Sequence, residues 1–89
     1  MEKIKIETPN QEKLNELRVD TWPIWEKEPS VFDWEYTTTE VCYILEGTAK
    51  IKTPDEEVTI KKGDLVRFPK GLKCTWEIIE KIKKHYNFE

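Results

Sequence analysis

Turn residues divide the chain after residue 30 into short runs at nearly regular intervals, and this spacing constrains the fold more than any other feature. Four turns are predicted, at Glu46-Gly47, Pro54-Asp55, Lys62-Gly63 and Pro69-Lys70-Gly71. The runs between them are rich in β-branched and aromatic residues, which favour strands. Many short strands separated by turns every 8–12 residues or so are typical of a sandwich or a small barrel. The sequence therefore predicts an all-β domain.

One helix signal precedes these strands. Thr8-Pro9-Asn10 can cap a short helix over residues 11–17, in which Leu14 and Leu17 share one face. The predicted strands are residues 2–7, 31–37, 40–46, 48–53, 57–61, 64–68, 73–80 and 82–88. Because 89 residues are too few for a second core, residues 1–89 are predicted to form one domain. Residues 1–30 supply its N-terminal strand, helix and lead-in, and residues 31–89 its barrel core.

Charge and length limit the partners of such a domain. The net charge of −3 is mixed in sign and forms no basic stripe, so we expect no nucleic-acid partner. No apolar run approaches the ~20 residues that span a bilayer, and the N-terminus lacks an apolar signal core, so we expect a cytoplasmic protein without a membrane partner. A chain of this size buries only about 60–65% of its unfolded surface. We therefore expect a homodimer, whose interface would add to a small core.

The alternation of residues along the strands predicts a pocket. Period two places Glu40, Cys42 and Ile44 on one face of their strand, and Cys74, Trp76 and Ile78 share one face of a later strand. If the preceding strand keeps this alternation, Trp34, Tyr36 and Thr38 join the first face. The predicted pocket is lined by Trp34, Tyr36, Glu40, Cys42, Cys74 and Trp76. The alternatives are that these aromatic and sulfur side chains are core packing and that Glu40 is a solvated strand residue.

Two motifs on these strands resemble those of the cupin superfamily. In "GDLVRFPKGLKC", Gly63, Pro69 and Gly71 stand at the spacings of the second cupin motif, and Cys74 stands at its histidine position. The resemblance implies a jelly-roll β-barrel. Gly63 is expected to permit a tight turn between strands.

The first cupin motif ends in Glu, six residues, Gly, and "EVCYILEG" supplies it as Glu40 and Gly47. Gly47 is likewise expected to permit a tight inter-strand turn. The segments "CYILEG", "KGDLVRFPKGLKCTWE" and "KKHYNF" are similar to the single-domain cupins of the ureidoglycine-aminohydrolase-like branch, which includes the ethanolamine-utilisation cupins. The whole chain resembles a compact hyperthermophilic member. A composition in which charged residues, mainly Lys and Glu, make up 37% is common in proteins from hot environments.

The ligand residues of metal-binding cupins are largely exchanged. In those cupins a His-x-His pair precedes the motif's Glu by three or four residues, and the corresponding positions hold Trp34 and Tyr36, or Asp33 and Glu35. Of the four usual ligands, only Glu40 is kept. A divalent metal normally takes three or four imidazole, carboxylate or thiolate donors. Two possibilities follow, namely no cofactor or one divalent ion held by a set that includes Glu40 and Cys74, with Cys42 and Tyr36 as further candidates.

The two cysteines permit other chemistry. Cys42 and Cys74 could form a disulfide across the barrel, which would stabilise a small domain by roughly 2–4 kcal/mol. Alternatively, Cys74 could be a nucleophile with Glu40 as the proton acceptor, or with His85, the one histidine, as a base. His85 could equally be a surface or interface residue.

Three functions follow from these patterns. The first is binding of a small polar or cationic molecule, with Trp34, Tyr36 and Trp76 as walls and Glu40 fixing its orientation, because aromatic faces beside a carboxylate suit cation–π contact and hydrogen bonding. The alternative is a metal-dependent hydrolase or isomerase related to the ureidoglycine branch, with a non-histidine ligand set that includes Glu40. The third is a structural or interaction module whose pocket is only a packed core.

Overall fold

The computed structural model describes residues 3–89, which form seven strands, one α-helix and one 3-10 helix. The predicted first strand begins at residue 2, which lies outside the described residues. The elements are β1 Lys5–Glu7, α1 Gln11–Leu17, the 3-10 helix Val19–Thr21, β2 Ile24–Lys27, β3 Ser30–Glu35, β4 Glu40–Lys52, β5 Glu57–Lys61, β6 Leu65–Phe68 and β7 Lys73–Phe88.

Local signals define α1 as predicted. The side-chain oxygen of Asn10 accepts a hydrogen bond from the Lys13 backbone N–H at 2.9 Å, which satisfies one of the free donors at the helix start. The helix ends at Arg18, which adopts a left-handed conformation with φ 54°. The 3-10 helix and β2, which follow, were not predicted. Across residues 3–89 no helix has the length and apolar character that a membrane crossing requires.

The two long strands, β4 and β7, organise the sheet. They pair with each other in antiparallel register from Glu40↔Phe88 to Lys52↔Thr75. The first part of β4 also pairs with β6, and its second part with β5. Similarly, β3 pairs with the first part of β7, and β2 with its last part. With β1 on β6, all strands join one antiparallel sheet, and the predicted all-β class is confirmed.

Both long strands continue through points where the sequence predicted breaks. Residues 40–46 and 48–53 were predicted as two strands, as were 73–80 and 82–88, but each pair belongs to one strand. The ladder instead shifts register several times between Ile44 and Ala49. Gly47 lies in this irregular stretch with φ +95°, and a Cβ there would come within 2.0 Å of the Lys81 carbonyl oxygen. The prediction that Gly47 forms an inter-strand turn is wrong, because its missing side chain serves the close approach of the two strands.

The core is packed around three aromatic side chains at one end. Tyr36 stacks on Phe68 with ring centroids 4.7 Å apart, and Phe68 lies 5.7 Å from the ring of Trp76. Buried aliphatic residues from β4, β5, β6 and β7 fill the remainder, among them Ile44, Ile51, Ile60, Val66 and Ile82. The aromatic end of this core forms the inner wall of an open cavity.

Candidate functional site

A cavity of about 540 Å³ opens at the aromatic end of the barrel. It is bordered by β2, β3, the start of β4 and both halves of β7. Seven of its lining residues are aromatic and four are charged: Trp25, Phe32, Trp34, Tyr36, Trp76, Tyr86 and Phe88, with Lys27, Asp33, Glu40 and Lys84. This volume lies within the ~300–1,000 Å³ range of small-molecule sites, which are typically apolar with a few placed polar groups.

A buried ion pair, Glu40–Lys84, lies in the wall of this cavity. Lys84 Nζ is 2.7 Å from Glu40 Oε2, and the two residues are only 5% and 7% exposed, respectively. The Lys84 ammonium also lies 5.0 Å from the ring centroid of Trp25 and 4.9 Å from that of Trp76. The Glu40 carboxylate and the two ring faces together compensate the charge of Lys84, which would be costly to bury alone.

The barrel geometry brings this pair together from distant points of the ladder. Glu40 begins β4 opposite Phe88, whereas Lys84 lies opposite Ile44 on β4 and opposite Trp25 on β2. The Lys84 side chain therefore reaches back along the inner face of the sheet toward the start of β4. Glu40 and Lys84 are separated by 44 positions in the sequence.

Tyr36 contributes a neutral phenol to the cavity wall. Its Oη accepts a hydrogen bond from Trp76 Nε1 at 3.2 Å. Burial, followed by the nearby Glu40 carboxylate, raises the pKa of the Tyr36 phenol well above its usual range. The phenol therefore stays protonated and can donate a hydrogen bond.

The chain is similar to a known protein family and to solved structures. Residues 14–86 match the family described as "EutQ-like cupin domain". A DUF861-family protein from Thermotoga maritima, known from a crystal structure, is 57% identical, with a TM-score of 0.96 over 98% of this chain and 100% of that one. The chain belongs to the EutQ-like cupin family. The cupin fold expected from the two motifs is thus confirmed.

More distant EutQ-like cupins are longer than this chain. The solved EutQ protein of Clostridium difficile is 26% identical, with a TM-score of 0.67 over 73% of this chain and 52% of that one. The curated protein "Acetate kinase EutQ" of Clostridioides difficile (strain 630) is 30% identical over 53 residues. This match covers 60% of the present cupin and 34% of the curated relative. The cupin chain thus spans about a third of that relative's length.

Four of the six residues predicted for the pocket border the cavity of this cupin. They are Trp34, Tyr36, Glu40 and Trp76. Cys42 instead has no exposed surface, and Cys74 is also buried, so both pack in the core. The alternation of residues along a strand does not distinguish the mouth of the barrel from its packed interior.

The side chains at the cupin metal position do not fit a divalent ion. No group of three or more His, Cys, Asp and Glu residues suited to a metal occurs between residues 3 and 89. The indole of Trp34 has no atom that can coordinate a metal ion, and the phenol of Tyr36 is protonated. Glu40 already binds the Lys84 ammonium. Of the alternative positions, Asp33 accepts a hydrogen bond from the Thr75 hydroxyl at 2.8 Å and Glu35 is exposed.

Both thiols of this cupin are free and protonated. Burial raises the pKa of Cys42 to about 12 and that of Cys74 to about 11. A nucleophilic cysteine needs the opposite shift. His85 does not line the cavity; its Nδ1 lies 2.9 Å from the Trp22 carbonyl oxygen. The structure thus shows no disulfide between Cys42 and Cys74, and it pairs His85 with the backbone rather than with Cys74.

The raised thiol pKa values predict a loss of stability at alkaline pH. The unfolded thiols lose their protons from about pH 8.5, whereas the native thiols keep theirs to about pH 11. The free energy of unfolding should therefore fall as pH rises, by up to about 1.4 kcal/mol per pH unit for each thiol. Urea unfolding of the wild type and of a Cys42→Ala/Cys74→Ala variant at pH 8 and pH 10 measures this. If the free energy of unfolding falls equally between pH 8 and pH 10 in the two proteins, the raised thiol pKa values are wrong, since both proteins share every other titrating group.

Two residues at the centre of the site were not predicted, namely Lys84 and Trp25. Lys84 shares the parity of Ile82 and Tyr86 on β7, so the inward face of "IKKHYNF" contained a signal for it. Lysine is seldom buried, however, and the alternation alone gave no reason to assign one to the interior. Trp25 lies on a four-residue strand flanked by charges and prolines, which carries little strand signal.

Proposed function

We propose that this cupin binds a small polar molecule in the aromatic cavity. The observation that carries the proposal is an open cavity lined by seven aromatic rings with one buried ion pair in its wall. The rings provide a large apolar contact area, and the ion pair and the Tyr36 hydroxyl provide directional hydrogen bonds. This combination is typical of a site that recognises one end of a ligand by its polar group and encloses the rest.

Exposed aromatic residues at the mouth favour binding over a merely packed core. Trp34 is 52% exposed and Phe88 55% exposed, although both border the cavity. Ring faces left in water lose the contacts that packing would provide, and exposed apolar surface of this kind often marks an interaction site. A ligand between these rings would cover them.

The enzymatic alternative remains a prediction. A metal-dependent hydrolase or isomerase related to the ureidoglycine branch would need donors that the cavity side chains do not offer. The acetate kinase activity named for the Clostridioides difficile relative is not part of this proposal, because the chain spans only 34% of that protein. The proposal therefore concerns recognition of a small molecule, and it leaves the reaction open.

A fragment screen with matched variants tests the proposal. We expect fragments detected by ligand-observed NMR to lose about two- to tenfold in affinity in Trp34→Ala, since one aromatic contact of a small ligand is worth roughly 0.5–1.5 kcal/mol. Val31→Ala is the control, because Val31 lies on the same strand, is 68% exposed and does not border the cavity. Fragments whose affinity is the same in the wild type and in both variants bind elsewhere, and a screen with only such fragments would refute the proposal.

A further inference from the structure

The charges of the Glu40–Lys84 pair identify the class of ligand, if the proposed binding function holds. We infer that the cavity selects an uncharged molecule that carries a hydrogen-bond acceptor and a donor side by side, as in a primary carboxamide. The acceptor engages the Lys84 ammonium, and the donor engages the free oxygen of the Glu40 carboxylate.

The cavity is electrically balanced. Its four charged lining residues are two cations and two anions: Lys27, Lys84, Asp33 and Glu40. The inner two form the 2.7 Å ion pair, so each charge there already has its counter-ion. Of the outer two, Lys27 lies 5.2 Å from the Phe32 ring centroid, and Asp33 accepts a hydrogen bond from Thr75. The wall therefore has no net charge that an ionic ligand would neutralise.

A charged ligand of either sign would meet a like charge. Since Lys84 Nζ and Glu40 Oε2 are 2.7 Å apart, an anion in contact with Lys84 also lies beside the Glu40 carboxylate. A cation in contact with Glu40 likewise lies beside the Lys84 ammonium. In the low effective dielectric of a site with so little exposure, this repulsion offsets most of the attraction, and the ligand still loses its hydration. An uncharged group avoids both costs.

The pair nevertheless keeps unused hydrogen-bonding capacity. An ammonium has three N–H donors, and only one of those of Lys84 is needed for Glu40. The Glu40 carboxylate is bonded to Lys84 through Oε2, and its Oε1 makes no such bond. Within residues 3–89, no fully buried side-chain oxygen or nitrogen lacks a hydrogen-bond partner. We therefore infer that Oε1 is accessible from the cavity that Glu40 lines. One donor and one acceptor site remain next to each other, which matches the N–H and C=O of an amide.

The walls add a preference for a flat body. Phe32 and Trp76 stack with an interplanar angle of 10° and centroids 6.1 Å apart, and the half-exposed Trp34 ring lies at the mouth. A planar ligand can lie against such ring faces with good contact. The simplest probe that joins a planar ring to an uncharged donor–acceptor group is benzamide.

Three probes of nearly equal shape separate the possibilities, namely benzamide, benzoate and benzylamine, which are neutral, anionic and cationic at pH 7. We expect benzamide to bind at least tenfold more tightly than either ion, with all three dissociation constants measured by NMR titration of the purified protein. Glu40→Gln leaves the Lys84 charge unbalanced and should shift the preference to benzoate. Val31→Ala should leave the order of the three unchanged.

Each result either supports or overturns the inferred ligand class. Benzoate or benzylamine binding as tightly as benzamide to the wild type would overturn the inference and leave the proposed function standing. The same holds if other fragments bind through Trp34 but none of these three does. If no fragment depends on Trp34, the proposed function fails, and the inference fails with it. Should Glu40→Gln not fold, Glu40→Gln/Lys84→Met, which removes both the ammonium and the carboxylate, should bind benzamide at least about tenfold more weakly than the wild type, and an unchanged affinity for benzamide would refute the inference.

Discussion

We expect that replacing Lys84 with methionine lowers the free energy of unfolding by about 3–5 kcal/mol, the usual cost of breaking a buried ion pair by removing one partner. The Glu40 carboxylate is left in an aromatic wall without its counter-ion, and it must either stay charged at high cost or take up a proton. Urea denaturation followed by Trp fluorescence measures the change through the midpoint and the slope.

Two variants make this result specific to the pair. Lys83→Met changes the neighbouring residue on β7, which is only partly buried, and it should shift the stability by no more than about 0.5 kcal/mol. Glu40→Gln/Lys84→Met removes both charges and should be more stable than Lys84→Met alone, since no uncompensated charge remains. If Lys84→Met costs no more than Lys83→Met, the pair does not stabilise the cupin as the structure indicates.

We expect Gly47→Ala to lower the free energy of unfolding by about 3 kcal/mol or more, from two causes that act together. The positive φ of +95° is strained for any residue with a side chain, which costs about 1–3 kcal/mol. The added Cβ would in addition come within 2.0 Å of the Lys81 carbonyl oxygen, so that β4 and β7 would have to separate. Differential scanning calorimetry should show this as a large decrease in Tm.

Gly63→Ala is the matched control for the crowding. Gly63 has nearly the same φ, +93°, but a Cβ there would have no heavy atom within 4 Å. Its substitution should therefore show only the cost of the backbone conformation. Equal losses in the two variants would mean that the contact between β4 and β7 adjusts without cost, contrary to the close approach seen at Gly47.

The fold could be predicted from the sequence to a large extent, because its signals are local. Asn10 caps α1 within its own turn, and Gly63 and Gly71 adopt the positive φ values that their turns require. The strand breaks predicted near Gly47 and Glu80 were wrong for a reason that is not local. These two points meet in the ladder, where Gly47 fits against the backbone of Glu80 and Lys81, and both strands continue through the contact.

The candidate site could be predicted only in part. Alternation placed Trp34, Tyr36, Glu40 and Trp76 on one surface, and all four border the cavity. The same alternation included Cys42, which lies deeper in the barrel with no exposed surface. Parity reports the face of a sheet, but depth depends on how the sheet closes, and that involves contacts between distant strands.

From residue types and spacing alone, Glu40 shares a strand face with apolar residues, where a carboxylate, if buried, needs a cation, a proton or a hydrogen-bonding partner because an isolated buried charge is too costly. The folded barrel buries Glu40 and supplies a cation. Lys84 comes from a strand 44 positions away, and the register of β4 on β7 brings its ammonium to 2.7 Å from Glu40, between the rings of Trp25 and Trp76. The types of the neighbouring residues indicate what it costs to bury a charge, whereas the identity of its counter-ion depends on which strands the closed barrel brings together.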